Sequence, residues 1–184
     1  MIRWIFNRMI DRFEKQYGYD ATYMREILAA SRSGFLKFMV AQVMNLHRER
    51  VAPDAWHAAR IAAARHEDCG PCTQLVVNMA LEARIDPAIV RAVVARDFQR
   101  MSPDAALGVR LAEATLAHAP TDELRSQVLD RYGERGLISL AYAIAVPRIY
   151  PTIKRVLGHA HTCERVTVGG EVVPAARATE RAAA

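Results

Sequence analysis

Apolar residues recur along most of this chain at the three- and four-residue spacing that places side chains on one face of an α-helix. The pattern is clearest over residues 2–17, where bulky apolar side chains are interleaved with charged ones. One face of this predicted helix carries Ile2, Ile5, Phe6, Met9, Ile10, Phe13 and Tyr17, and the other carries Arg3, Arg8, Asp11, Arg12, Glu14 and Lys15. We expect this amphipathic helix to pack on its own domain or on a neighbouring subunit, with attachment to a membrane surface as the weaker alternative.

Helix starts are marked through the rest of the chain. Proline stands at or near a first helical position in Pro53-Asp54, Asp86-Pro87 and Ser102-Pro103, and acids follow Thr121 at a fourth start. A long helical stretch is predicted over 20–50, broken near 33–34. Further helices are predicted over 53–66, 70–84, 87–96, 103–118, 122–132 and 134–159, the last with a kink around Pro147 and Pro151. The fold class is therefore predicted to be all-α, a multi-helix bundle.

A strand pattern occurs near the C-terminus. Residues 165–168 and 171–173 flank Gly169-Gly170 and alternate in polarity, which predicts a small β-hairpin. The residues after Pro174 include no large apolar side chain, which predicts a disordered tail. The chain is thus divided into an N-terminal helical extension (1–50), a helical core (51–162), a hairpin (163–173) and a tail (174–184).

Composition narrows the class of protein. Hydrophobic residues make up 52% of the 184 residues, enough for one core, and the net charge of +5 is too evenly mixed with acids to indicate a nucleic-acid partner. The longest near-apolar run, 137–146, is about half of the roughly 20 residues that a membrane span needs. The opening residues lack a secretory signal, and three cysteines do not make a secreted disulfide framework, so a cytoplasmic location is expected.

The sequence Cys69-Gly70-Pro71-Cys72 carries the most direct chemical signal. It opens a predicted helix, where unpaired N–H groups and the positive end of the helix dipole favour a thiolate, and Pro71 suits a first helical position. Two thiols at this spacing can form a reversible disulfide. The alternatives are half of a zinc site and two inert, buried thiols.

The predicted helix after Cys69 has one apolar stripe. It consists of Cys72, Leu75, Val76, Met79, Ala80 and Ala83. This stripe predicts that Cys72 is buried, whereas Cys69 at the helix cap is expected to be the more accessible thiol. An outer thiol that meets the partner and an inner thiol that closes the disulfide would suit dithiol exchange.

Three further residues are candidates for acid–base work beside the thiols. His66 and Glu67 immediately precede Asp68 and Cys69, so His66 could accept a thiol proton while Glu67 or Asp68 orients the ring. The alternative is a solvated loop whose acids cap the following helix. His57, twelve positions before Cys69, could be a second proton-relay group or a structural histidine beside Trp56.

Two other groups of residues could have a binding role. The run His159-Ala160-His161-Thr162-Cys163 could face a metal ion, but the favoured interpretation is a helix end followed by a lone cysteine that could join thiol exchange. Tyr142 and Tyr150 could line a pocket, although the sequence signal for one is weak.

Over residues 50–160 the chain resembles the alkylhydroperoxidase D-like and carboxymuconolactone decarboxylase superfamily. The resemblance is carried by a helix, the Cys69–Cys72 motif that opens the next helix, and the following Leu-Val-Val-x-Met-Ala-Leu-Glu-Ala-x-Ile-Asp. It implies a helical bundle in which paired thiols reduce hydroperoxides or disulfides, assisted by a Glu twelve residues before the first Cys and a His four residues after the second. This chain has His57 and Val76 at those positions, so His57, His66 and Glu67 would have to replace the family's proton relay.

The function predicted is a homo-oligomeric, peroxidase-like thiol–disulfide oxidoreductase with catalytic residues Cys69, Cys72, His57, His66 and Glu67 and no cofactor or metal. Its expected partners are a hydroperoxide or disulfide substrate and an external dithiol reductant. Exposure favours Cys69 as the attacking thiol, and the family resemblance favours Cys72. The alternatives are a non-catalytic helical oligomer with a structural or metal-bound CxxC, and a lactone decarboxylase.

Overall fold

A computed structural model describes residues 2–159 and 165–175 of the chain. The described residues form nine α-helices and one two-stranded sheet. In chain order these are α1 (Ile2–Tyr17), α2 (Thr22–Ala30), α3 (Arg32–Asn45), α4 (Pro53–His66), α5 (Gly70–Glu82), α6 (Pro87–Ala95), α7 (Pro103–Leu116), α8 (Asp122–Ala145), a 3₁₀ turn (Val146–Arg148), α9 (Ile149–Val156), β1 (Arg165–Val168) and β2 (Glu171–Pro174). The predicted all-α class with a small hairpin is confirmed. His161, Cys163 and the predicted tail beyond residue 175 lie outside the described residues.

The predicted helix starts are where the capping chemistry places them. Proline occupies the first turn of α4, α6 and α7. The Asp86 side chain accepts a hydrogen bond from the Ala88 N–H, and the Ser102 hydroxyl accepts one from the Ala105 N–H. These bonds satisfy backbone donors that an α-helix leaves unpaired at its start.

Two long predicted helices are interrupted by local features. The stretch over 20–50 divides at Ser31, whose hydroxyl accepts a hydrogen bond from the Gly34 N–H and so caps α3. The stretch over 134–159 divides at the 3₁₀ turn that contains Pro147, as the predicted kink requires. Gly133, at φ 68°, kinks α8 where two helices were predicted to meet.

The main hydrophobic cluster surrounds α4. Every residue of α4 from Ala55 to Arg65 is buried, and α5, α6, α7 and α8 pack around it. Small side chains allow this close packing: a Cβ atom on Gly108 of α7 would lie only 2.2 Å from the Ala55 carbonyl oxygen. The alanine-rich sequence of α4 is thus explained by its place at the centre of the bundle.

A second, smaller hydrophobic cluster joins α1, α2 and α3. Its buried members are Ile10, Tyr19, Ala21, Tyr23, Met24, Leu28, Phe35 and Phe38, and Leu75, Tyr150 and Ile153 pack against it. Only part of the predicted apolar face of α1 is buried, since Ile10 is buried whereas Ile5 and Met9 are exposed. The N-terminal helices therefore lie against the beginning of α5 and against α9 rather than standing apart from the bundle.

The hairpin closes one side of the main cluster. β1 and β2 pair antiparallel with Val166 opposite Val173, and Val166 and Val168 are buried. The Gln74 side chain of α5 donates to the Thr167 carbonyl and accepts from the Thr167 N–H. These two bonds occupy the backbone groups of β1 that face α5.

The segment Asp122–Val156 is long and apolar enough to cross a membrane by length and composition alone, with a mean hydropathy of 1.3 in its most apolar window. It is interrupted by the Gly133 kink and the 3₁₀ turn. Val128, Leu140 and Ile144 from it are buried in the main cluster. We interpret the segment as a core helix of the bundle.

Candidate functional site

The two close cysteines lie at the turn between α4 and α5. Asp68 adopts a left-handed conformation, φ 52°, which reverses the chain within three residues after α4 ends. Cys69 is the N-cap residue of α5, and Cys72 lies in its first turn. The two sulfur atoms are at disulfide distance, and their Cα atoms are 5.3 Å apart, within the usual range for a disulfide.

The expected contrast in accessibility between the two thiols is not found. Cys69 is 4% exposed and Cys72 is 5% exposed, so neither is an outer thiol. The helix α5 that Cys69 caps packs against α4 and β1, and the Cys69 carbonyl accepts hydrogen bonds from the Thr73 N–H and hydroxyl. What distinguishes the two thiols is the cavity that Cys72 lines.

This cavity, which we call the Cys72 cavity, lies between the two hydrophobic clusters. Its volume is about 30 Å³, and a water molecule needs roughly 10–15 Å³ by the same measure. The α5 side chains that line it are Cys72, Leu75, Val76 and Met79, which are four members of the stripe predicted from the sequence. The opposite walls come from α1 to α4, the 3₁₀ turn and α9, and include Tyr19, Tyr23, Asn45, Arg60 and Tyr150.

The walls of the Cys72 cavity contain buried polar atoms with unused hydrogen-bonding capacity. Asn45 Oδ1, Arg60 Nε and the Tyr150 hydroxyl are buried and have no hydrogen-bond partner among the described residues. A buried polar group without a partner costs free energy, and such groups in native proteins commonly mark bound water, a ligand or a functional site. Three of them among the residues that line one small cavity make it a candidate binding site for a small polar molecule.

The wall of the Cys72 cavity includes a buried positive charge, that of Arg60. Arg60 is 2% exposed and stacks on the Trp56 ring at 4.3 Å, and within the described chain no salt bridge joins it to a carboxylate. Burial lowers the pKa of Arg60 to about 10, which still leaves it charged at neutral pH. Arg65, one turn further along α4, differs because it is paired with Glu113 and donates to the Val93 and Val94 carbonyls.

A second buried cation lies close by. Lys154 of α9 is 2% exposed, and its Nζ lies 4.7 Å from the centre of the Tyr19 ring and 5.4 Å from that of Tyr23. Burial lowers the pKa of Lys154, and Asp20 opposes that shift. Tyr19 thus joins this cation to the Cys72 cavity, which Tyr19 also lines.

Tyrosine hydroxyls supply the neutral polar groups. The Tyr19 hydroxyl lies 4.0 Å from Cys72 Sγ, and burial raises the pKa of Tyr19 to about 12. Burial also raises the pKa of Tyr23 and of Tyr150, although Arg60 opposes the shift at Tyr150. All three phenols therefore keep their protons at neutral pH and can donate hydrogen bonds to a thiolate or to a bound oxygen.

His57 lies away from the Cys72 cavity. His57 stands three residues before Arg60 in α4 and is not among the residues that line the cavity. The ring is 6% exposed and meets Trp56 edge to face at 4.8 Å. Burial, with Arg60 and Arg48, lowers the pKa of His57 to about 3, so the ring is neutral at physiological pH. The predicted relay role of His57 stays a prediction, and it would require a path to the thiols that the cavity does not provide.

Glu67 and His66 lie in the turn that precedes Cys69. The Arg148 Nε donates to Glu67 Oε1 at 2.5 Å, the Arg155 Nη2 donates to the Glu67 carbonyl at 2.7 Å, and the Arg155 Nη1 lies 3.9 Å from Oε2. Glu67 thereby attaches the turn to the 3₁₀ turn and α9. His66 is half-buried at the last residue of α4 and does not line the Cys72 cavity. A catalytic role for either residue stays a prediction.

Sequence reasoning did not find Tyr19, Asn45 and Arg60. Asn45 and Arg60 are polar residues on otherwise apolar helix faces, and that signal could have singled them out. Tyr150 was a weak pocket candidate and does line the Cys72 cavity, whereas Tyr142 packs against His47 instead. Val76, which stands where the resembled family has a histidine, also lines the cavity.

The predicted alternative of a metal site finds little support in the described residues. They contain no group of three His, Cys, Asp or Glu side chains placed to hold a metal ion. His159 Nε2 lies 2.8 Å from Glu26 Oε2, which joins the end of α9 to α2. His161 and Cys163 lie outside the described residues.

Comparisons with protein-family models, with curated proteins and with solved structures find no match for this chain. The function of this chain is therefore inferred from the geometry of the Cys69–Cys72 pair and of the Cys72 cavity.

Proposed function

We propose that this protein is a peroxidase-like thiol–disulfide oxidoreductase whose Cys69 and Cys72 cycle between dithiol and disulfide, with Cys72 as the attacking thiol. The observation that carries this proposal is the position of Cys72: its sulfur is at disulfide distance from Cys69, and Cys72 lines a largely apolar cavity whose wall includes the buried Arg60. Inert structural cysteines would need neither the cavity nor the buried cations beside it.

The proposed cycle has three steps. The Cys72 thiolate attacks one oxygen of a hydroperoxide, the O–O bond breaks, and the leaving alkoxide or hydroxide takes up the proton that the thiol released. The Cys69 thiol then attacks the resulting Cys72 sulfenic acid, which forms the disulfide and releases water. An external dithiol finally reduces the disulfide and is itself oxidised to a disulfide.

Two cysteine variants test the assignment of roles, with Cys163→Ser present in both so that the third thiol does not complicate the masses. After one equivalent of hydrogen peroxide, the Cys69→Ser variant is expected to hold a sulfenic acid on Cys72, trapped by dimedone and located by peptide mapping. The Cys72→Ser variant is expected to show at least a tenfold lower rate of oxidation.

The control is the Cys163→Ser protein with both active thiols, which is expected to lose two hydrogens and to form no dimedone adduct. A dimedone adduct on Cys69 in the Cys72→Ser variant, formed as fast as in the other variant, would reverse the assignment. Thiols that do not react with hydrogen peroxide in any variant would contradict the proposal and favour the non-catalytic alternative.

The proposal includes a homo-oligomer in the cytoplasm. The exposed apolar residues Leu36, Val40 and Val43 of α3 stand four and three positions apart, so they share one helix face that a subunit contact would cover. Light scattering on the purified chain measures the subunit number directly. A monomer at all concentrations would contradict this part of the proposal without affecting the thiol chemistry.

A further inference from the structure

We infer that the Cys72 cavity selects hydrogen peroxide over bulkier organic hydroperoxides, with Asn45, Arg60 and Tyr150 as the residues that hold it against Cys72. This inference rests on the proposed function and adds to it the class of substrate. It is carried by the volume of the cavity together with the three polar atoms on its walls.

Volume limits what can meet the Cys72 sulfur. The cavity offers about 30 Å³, which is space for about two water-sized groups. Hydrogen peroxide has two heavy atoms and fits this space. An aromatic hydroperoxide has several times as many heavy atoms, so α1 or α2 would have to move before its O–O bond could reach the sulfur.

The polar atoms match the hydrogen-bonding capacity of hydrogen peroxide. Hydrogen peroxide donates two hydrogen bonds and accepts through both oxygens. Asn45 Oδ1 can accept from one O–H, and Arg60 Nε and the Tyr150 hydroxyl can donate to the oxygens; none of the three has another partner among the described residues. An alkyl hydroperoxide offers one O–H fewer and would leave part of this set unpaired, which is costly at a buried site.

The same groups assist the reaction. Attack by the Cys72 thiolate breaks the O–O bond and puts negative charge on the leaving oxygen, and a hydrogen bond from Arg60 or Tyr150 stabilises that charge. The proton released by the Cys72 thiol ends on the leaving hydroxide, so one hydrogen peroxide and one thiol give one sulfenic acid and one water. Arg60, at 2% exposure, keeps its charge in a place where water competes little for it.

The test compares two peroxides in the Cys163→Ser protein. Rates of disulfide formation with hydrogen peroxide and with cumene hydroperoxide are measured by quenched-flow mass spectrometry, each divided by the rate of the same peroxide with free cysteine. The normalised rate is expected to be at least tenfold higher for hydrogen peroxide. A ratio near or below one would overturn the inference while leaving the proposed function in place.

Two variants assign the preference to the cavity walls. Tyr150→Phe and Asn45→Leu each remove one polar atom with little change in volume, and each is expected to lower the hydrogen peroxide rate about three- to tenfold. The pH at which the hydrogen peroxide rate is half-maximal, which reports the ionisation of the attacking thiol, is expected to stay unchanged. Tyr142→Phe, at a tyrosine that does not line the cavity, is the matched control and is expected to change neither the rate nor this pH.

The outcomes distinguish a failure of the substrate preference from a failure of the peroxidase proposal. Equal losses for hydrogen peroxide and for cumene hydroperoxide, together with a shift of that pH, would mean that these residues set the reactivity of the thiol and select no substrate, which overturns the inference. Unchanged rates in both variants would mean that the polar atoms hold a structural water, which also overturns it. If neither peroxide oxidises the reduced pair, the peroxidase proposal itself fails.

Discussion

Burial shifts the pKa values of individual side chains in this bundle, and His57 shows this effect most directly. Burial lowers the pKa of His57 to about 3, against about 6.5 in an unfolded chain. Between these values the unfolded chain binds a proton that the folded chain does not, so the free energy of unfolding decreases as the pH falls from 6.5 toward 3. The loss is at most about 1.4 kcal/mol per pH unit, and above pH 6.5 this residue contributes no pH dependence.

We predict that His57→Gln flattens the pH dependence of stability over this window. Urea unfolding at pH 7.5 and pH 5.0 measures it, and the difference between the two pH values is expected to shrink by about 1–2 kcal/mol relative to the original chain. His118→Asn is the control, since His118 is exposed and Asn tolerates its positive φ. An unchanged difference would show that another group titrates here. A loss of peroxide reactivity above tenfold in a folded His57→Gln protein would support the relay role instead.

At the residue scale, the sequence predicts the Cys69–Cys72 pair and the apolar stripe beside it better than the rest of the site. The stripe from Cys72 to Met79 could be predicted because helical spacing is local, and these residues do line one cavity. Tyr19 and Asn45 could not be placed, because their position in the same cavity wall as Cys72 depends on contacts between residues far apart in the sequence. The prediction that Cys69 is the more accessible thiol was wrong for the same reason. A residue at a helix cap is exposed only if nothing packs on it, and Cys69 is buried.

At the scale of elements, the turn before Cys69 is fixed to the 3₁₀ turn and α9 by Glu67. Its carboxylate is 9% exposed and is shared by Arg148 and Arg155. We predict that Glu67→Gln destabilises the protein by about 1–2 kcal/mol, because a largely buried, charge-assisted hydrogen bond is replaced by a weaker neutral one. Urea unfolding measures the loss, and hydrogen exchange is expected to accelerate over residues 146–156 first.

Glu171→Gln is the matched control for this prediction. It removes a carboxylate that pairs with Arg91 at 3.5 Å but is 70% exposed, so its effect on stability is expected to stay below about 0.5 kcal/mol. Equal effects of the two substitutions would contradict an anchoring role for Glu67. A changed pH profile of thiol oxidation in Glu67→Gln, with stability intact, would instead support its predicted place in the chemistry.

Element boundaries were the most predictable part of the fold. Helix starts at Pro53, Pro87 and Pro103 follow from residues that act within one turn, and so does the hairpin around Gly169-Gly170. The break in the 20–50 stretch was placed two residues late, since Gly34 follows the cap and the capping hydroxyl belongs to Ser31. How α1 to α3 lie on the bundle depends on contacts distant in sequence and could not be derived from the helical pattern.

At the scale of the whole molecule, the candidate site lies where two hydrophobic clusters meet. The larger cluster is centred on α4, and the smaller one joins α1, α2 and α3. Phe13, Tyr19 and Tyr23 belong to the smaller cluster or pack against it, and they also form one wall of the Cys72 cavity. Because the smaller cluster buries less apolar surface, we expect it to open without unfolding the rest, and each opening would widen the cavity.

Ile10→Ala tests this coupling. Ile10 is 1% exposed at the centre of the smaller cluster, and removing its side chain costs roughly 2–5 kcal/mol. Hydrogen exchange in α1 to α3 is therefore expected to accelerate at least about thirtyfold, since 2 kcal/mol corresponds to that factor, while α4 and α7 keep their protection. Val109→Ala, in the larger cluster, is the control and is expected to accelerate exchange in α4 and α7 as well.

The same variant connects the opening of the smaller cluster to substrate choice. If the wall made by Phe13, Tyr19 and Tyr23 excludes large hydroperoxides, Ile10→Ala should raise the normalised cumene hydroperoxide rate several-fold and leave the hydrogen peroxide rate equal or lower. Val109→Ala should leave the ratio of the two rates unchanged, because its cavity forms away from Cys72. Faster exchange in α1 to α3 without a change in that ratio would show that the N-terminal helices stabilise the site but do not control access to the Cys72 thiol.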